Sequence, residues 1–207
     1  MAPGSRRFVL RAAVFLLVAN VLVHALQRVP PVLAQSPPSK TGAVAKSIGA
    51  VRYGTTGLPD PVIEMRDAIL TAARSGRIEE LRAAIELNEI KPVFSDKAIA
   101  DPIAHLKAQS ADGEGRDVLA AIAAILEAGW VALPLGRDLE NNRVYLWPHF
   151  AETGVVGLSP EQETELLRLV SPAEVSVMRR TKHYTGWRLG IGADGVWHFL
   201  AKVAPLQ

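Results

Sequence analysis

Four times in this chain an aspartate or a serine stands directly before a proline at the head of an amphipathic run: Asp60-Pro61, Asp101-Pro102, Ser159-Pro160 and Ser171-Pro172. An N-cap side chain accepts a backbone amide that would otherwise be orphaned, and the proline after it has no amide to orphan. Gln162 and Glu174, three residues beyond the two serines, complete capping boxes. A chain punctuated in this way is committed to short, individually capped helices.

The spacing of apolar residues predicts a helix over 61–75, with Val62, Met65, Ile69 and Ala72 on one face. Gly76 ends it, and a second helix follows over 77–88 on Ile78, Leu81 and Ile85. The stretch 72–85 resembles the helical part of an ankyrin repeat. No second copy occurs at that period, so it reads as a helical hairpin packed on the rest of the domain. A short helix is expected over 102–109. A nearly all-apolar one over 117–128, closed by Gly129, should be the centre of the core.

Beyond Gly129 the residue types change. Segments 130–133 and 144–147 are rich in β-branched and aromatic residues and flanked by Pro134 and Pro148, which predicts two strands joined by a polar loop. Helices over 160–170 and 172–180 follow. At the C-terminus, 187–192 and 196–201 flank Ala193-Asp194-Gly195. Asp-Gly at the centre predicts a type I′ turn. That register sets Gly192 opposite Trp197 and Gly190 opposite Phe199, with rings covering bare backbone. Leu189, Ile191, Val196 and Leu200 would then face the helices, with His198 on the strand face of Leu200. The fold class expected is α+β: a mainly helical single domain over 59–207 with a small antiparallel sheet and a C-terminal β-hairpin.

The first residues carry Arg6, Arg7 and Arg11 and no acid, followed by an apolar run from Ala12 to Val23, broken only by Asn20, and a polar stretch ending Val32-Leu33-Ala34. This is the three-part pattern of a secretory signal, with cleavage expected between Ala34 and Gln35. The run is short of the roughly 20 apolar residues a membrane span needs, so no span is expected after cleavage. Ser5 to Arg11 also resembles a twin-arginine signal, and the choice of export route stays open. Residues 35–58, rich in Pro, Gly, Ser and Lys, read as a flexible leader.

The chain has 23 basic and 21 acidic side chains. Four of the bases and none of the acids lie in residues 1–34, so the mature protein has 19 against 21. Its slight negative charge removes the argument for a nucleic-acid partner. With no cysteine, neither a disulfide nor a thiol nucleophile is possible, and packing must hold the fold together.

No familiar catalytic constellation appears, and neither cofactor nor metal is implied. The mature histidines, His105, His149, His183 and His198, show no metal-ligand spacing. Asp112 to Asp117 is faintly like a calcium loop but lacks the remaining ligands, and reads as a polar loop leading into a helix. Arg179, Arg180, Lys182, His183 and Arg188 form a basic cluster that answers a helix C-terminus or receives an anionic polymer. All four tryptophans lie beyond Gly129. They read first as core, and alternatively as a stacking platform, for which Trp147, Tyr184, Trp187 and Trp197 are the candidate binding residues.

Trp147-Pro148 followed by Phe150, then His183-Tyr184, then the run from Trp187 to Trp197, resembles an uncharacterised family of exported, periplasmic bacterial proteins. The resemblance covers most of the chain from Leu58 onward. It implies an exported domain and supplies no activity and no catalytic residues. The expectation is therefore an exported, non-catalytic protein of the cell envelope that binds an envelope polymer or a protein partner, its oligomeric state open. The alternative is a periplasmic hydrolase whose carboxylate or histidine site the sequence does not single out.

Overall fold

The capped starts become helices. Helix α1 (Asp60–Arg74) is followed by a 3-10 turn (Ile78–Glu80) that runs into α2 (Leu81–Glu86). Next come α3 (Pro102–Ala108), α4 (Arg116–Glu127), strands β1 (Val131–Pro134) and β2 (Arg143–Trp147), and the single turn α5 (Phe150–Thr153). Helices α6 (Pro160–Leu169) and α7 (Pro172–Thr181) precede strands β3 (Trp187–Gly192) and β4 (Trp197–Lys202). This computed structural model describes residues 49–134 and 142–203. The signal, the cleavage site at Ala34 and Gln35, and residues 138–141 of the polar loop lie outside the described residues.

Both serine-started helices carry complete capping boxes, and Asp101 accepts the Ile103 amide at 2.9 Å. The first start is corrected. Pro59 is the N-cap of α1, and Asp60 lies inside the first turn, where it makes no capping bond. There its carboxylate still favours the positive helix end. Gly129 does not close α4 in a left-handed conformation; Ala128 ends the helix in extended backbone. Asp112 and Asp117 accept the amides of Glu114, Gly115 and Ala111, so this stretch is the helix-initiating loop expected.

The sheet is antiparallel throughout, in the order β1-β2-β3-β4. Side chains on its inner face meet α1 and α4 in one core that includes Ile69, Ile78, Leu81, Leu119, Ile122, Tyr145, Trp147, Leu189, Ile191 and Leu200. A second cluster of Phe150, Leu166, Val175, Met178 and Tyr184 forms among α5, α6 and α7. The fold is therefore α+β and mainly helical, as expected. No described helix is long and apolar enough to cross a membrane.

Residues 49–58, expected within a flexible leader, are instead docked. Arg52 exchanges both backbone hydrogen bonds with Trp130, at 2.9 and 2.7 Å, and Leu58 is buried in the main core. Leu58 and the pairing partner Arg52 give the segment enough contact to offset its ordering entropy.

The hairpin departs from the expected register. Gly190 faces Phe199, but Trp197 faces Ile191, with a bulge between Gly190 and Ile191. The turn is a three-residue loop: Gly195 N–H donates to the Gly192 carbonyl at 2.9 Å, and Gly192 N–H to Val196 at 2.8 Å. Gly195 has φ +85°, whereas Asp194 does not enter the positive region that a type I′ turn requires of both central residues. The extra residue rotates the start of β4. Trp197 joins Leu189, Ile191 and Leu200 in the core, Val196 is left half-buried outside it, and His198 turns away from Leu200. A Cβ on Gly190 would lie 2.6 Å from Phe199, so that ring does cover bare backbone. Gly192 is covered by His198, 2.6 Å from the same construction, rather than by Trp197.

At Gly195 a Cβ would also lie 2.8 Å from the Pro61 carbonyl oxygen. Gly195→Ala is therefore expected to lower stability by about 1–3 kcal/mol, the usual cost of an L residue held in a sparse backbone region. Urea unfolding checks this, and an unchanged midpoint would contradict the turn.

Candidate functional site

Two groups of polar side chains stand out from the packing. The first is centred on Glu165 of α6, whose side chain is 14% exposed. Gly129 N–H donates to Glu165 Oε1 at 2.6 Å, and the Tyr53 hydroxyl donates to Oε2 at 3.0 Å. His149, wholly buried, sets Nε2 at 3.6 Å from Oε2. That is too long for a formed hydrogen bond. At its other edge, His149 Nδ1 lies 2.8 Å from Thr153 Oγ1. The Thr153 hydroxyl also lies 3.2 Å from the His149 carbonyl; turned instead to Nδ1, it leaves the ring proton on Nε2, facing the carboxylate, an arrangement that avoids setting two acceptors against each other.

One carboxylate thus joins the docked N-terminal segment, the turn into β1, the β2–α5 junction and α6. Burial raises the Glu165 carboxyl, but the His149 edge, the Gly129 amide and Tyr53 together outweigh it and hold the group below its ordinary 4.5. Burial, helped by Glu165, pushes the Tyr53 phenol up to about 12. Beside this clasp lies a cleft of about 580 Å³ lined by Tyr53, Glu161, Thr164, Glu165 and Arg168 among others. The imidazole does not reach it, because His149 is sealed.

The second group lies along the β4 edge. A groove of about 820 Å³ is lined by Val93 to Asp96, by His105 and Gln109 of α3, and by Val144, Arg188, His198, Phe199, Ala201 and Lys202 of the sheet. Its wall at 93–96 is held in place by a parallel bridge: Val93 N–H donates to the His198 carbonyl at 2.8 Å, and Leu200 N–H to Val93 at 3.0 Å. The Arg188 guanidinium carbon sits 5.2 Å from the Phe199 ring centre. Its Nε is buried and has no hydrogen-bond acceptor. Lys202 Nζ lies 5.3 Å from the Trp187 ring. Among the described residues no carboxylate pairs with Arg188 or Lys202.

The candidate binding residues read from the sequence do not come together. Trp147 and Trp197 are fully buried and Tyr184 is 2% exposed, so none presents a ring face to a ligand. Trp197 packs edge-on to Phe94 at 5.4 Å and donates its indole N–H to the Phe199 carbonyl at 3.0 Å. Tyr184 packs on Phe150 at 6.3 Å. Trp187 alone is half-buried, under Lys202. The stacking platform is thus overturned by core packing. The basic cluster also divides: Arg179 pairs with Glu163 of α6 and Lys182 caps α7, whereas Arg188 lies in the groove. Neither the Glu165 clasp nor the groove was legible as a motif. Among the described residues no group of three or more acidic or histidine side chains is placed to hold a metal ion.

The chain matches no protein-family model, no curated protein and no solved structure.

The depressed Glu165 carboxyl sets a pH dependence. A group whose pKa is lower folded than unfolded contributes stability above its unfolded value, and that contribution fades as pH falls through the folded value. Glu165→Gln is expected to cost about 1.5–3 kcal/mol at pH 7, the range for hydrogen bonds to a charged group. The gap from the unmutated protein should narrow below pH 4.5. Denaturant unfolding from pH 7 to 3 measures it, and a gap constant over that range would contradict the clasp.

Proposed function

We propose that this is an exported, non-catalytic binding protein of the cell envelope, whose ligand carries an anionic group held in the β4-edge groove by Arg188. The observation that carries this reading is the Arg188 guanidinium, which lines an 820 Å³ groove over the Phe199 ring and has no carboxylate partner among the described residues. A planar guanidinium without an acidic partner on a concave surface is matched by a carboxylate or phosphate, which it holds through charge-assisted hydrogen bonds. The N-terminal signal pattern and the resemblance to exported bacterial proteins support the location.

A hydrolase reading draws on the His149–Glu165 pair beside its cleft. Three features weigh against it. The imidazole is sealed, both carboxylate oxygens already face donors within the fold, and a phenol raised to about 12 is a poor nucleophile near neutrality. The clasp is better matched to holding segments together.

The test uses protein recovered from the exported fraction, with a mass beginning at Gln35. Anionic and neutral envelope fragments are titrated into it by calorimetry. Anionic fragments are expected to bind, and Arg188→Met to weaken them about tenfold to a hundredfold, the equivalent of one charge-assisted hydrogen bond, with an unchanged melting temperature. Equal binding by the variant would overturn the reading.

A further inference from the structure

We infer that the groove takes a single amphiphile with one anionic head, carboxylate or phosphate, and a hydrocarbon body; this rests on the anion reading above and specifies its ligand. Three properties of the groove narrow the ligand class.

The first is that main-chain recognition is already used up along this stretch of β4. Val93 occupies the edge through its own N–H and C=O. An extended peptide laid here has no free ladder to join at His198 and Leu200, so β-strand addition is closed to it.

The second concerns the polar groups. His105 and Gln109 face each other at 2.7 Å, and Ser95 donates to Asp96 at 3.3 Å. These four are tied to one another. The uncommitted ones are Arg188 and His198; the Lys202 side chain crosses to the other face of the sheet, over Trp187. Arg188 is a donor alone. A sugar, which presents closely spaced hydroxyls that both donate and accept, finds few matching acceptors. A lone anion finds a guanidinium fork. Asp96 is the acid in the lining, and Glu174 acts on Lys202 from α7.

The third is the apolar remainder. Val93, Val144, Phe199 and Ala201 continue the groove away from Arg188. Val93 is 56% exposed although it sits at the mouth of a concave surface, a place where apolar area gains most from being covered. Phe199 joins the two halves, with its ring under the guanidinium of Arg188 and over the backbone of Gly190. The head is thereby placed at Arg188 and the chain directed along Phe199 toward Val93.

Calorimetry with the full exported protein tests this, using probes kept below their micelle-forming concentrations: dodecanoate, dodecyl phosphate, dodecanol and butyrate. Each buried methylene adds about fourfold to affinity. At least one of the two long anions should therefore bind tenfold or more tighter than both dodecanol and butyrate. Arg188→Met should remove the preference over dodecanol. Val93→Ser, neutral and at an exposed position, should weaken the long anions several-fold with a smaller effect on butyrate. Equal affinity for butyrate and the long anions would overturn the amphiphile while leaving the anion site standing. Failure of every anion, short and long, would overturn the anion site itself. Sedimentation with anionic lipid vesicles without uptake of monomeric probes would also overturn the inference, by making this face a bilayer contact.

Discussion

The one-residue bulge between β3 and β4 is the constraint on which both core and groove depend. Alternation along a strand is strict, so inserting one residue exchanges the faces of everything before it relative to everything after. Here it lets Trp197 and Leu200, three residues apart, both point inward onto Ile191 and Leu189. The residues between them, His198 and Phe199, turn toward Gly192 and Gly190 on the other side. Without the bulge, Trp197 would stand over Gly192 and leave a tryptophan-sized gap against Phe94. Losing a ring of that size from a core costs about 3–5 kcal/mol. The packing of Trp197 therefore fixes the register, and the register in turn opens the outer face where Arg188 rests on Phe199.

A chain without cysteine has to join its segments by burial and hydrogen bonds, and Glu165 shows how the second is done. The segments of Tyr53, Gly129 and His149 are already joined by backbone bonds, Arg52 with Trp130 and the His149 N–H to the Gly129 carbonyl at 2.7 Å. A single carboxylate draws all three to α6. Such a node is favourable while its carboxylate is satisfied, because a half-paired buried carboxylate costs more than an apolar replacement. The amide and the phenol satisfy it directly, and the histidine edge adds to them at longer range. The same segment that brings Tyr53 to the clasp also brings Arg52 to the edge of β1, where it covers the backbone of Trp130 and lies 5.9 Å from that ring.

Local chemistry was legible in the sequence wherever its partners are close along the chain. The serine caps and the buried stripe Val62, Met65, Ile69 and Ala72 follow from residues within one or two turns of each other, and strands β1 and β2 from β-branched and aromatic runs on either side of one loop. Asp194-Gly195 misled because the dipeptide suits a two-residue turn and a three-residue one equally well. What decides between them is the demand of Trp197 for a cavity built by Phe94 and α1, which no local pattern encodes. The clasp was hidden for a related reason: Tyr53 and Glu165 are 112 residues apart, and each alone is an ordinary surface residue type. The groove needs Val93 beside Phe199, a bridge between segments more than a hundred residues apart. The aromatics clustered beyond Gly129 read first as core and alternatively as a platform; most of those rings are buried, as the first reading had it.

The register is measured most directly by nuclear Overhauser contacts across the hairpin in the folded protein. Backbone protons of Ile191 should show cross-strand contacts to Trp197, and Gly190 to Phe199, with the Trp197 ring protons close to Phe94. Contacts from Gly192 to Trp197, together with a solvent-accessible Trp197 indole, would contradict the bulged register and with it the origin of the groove.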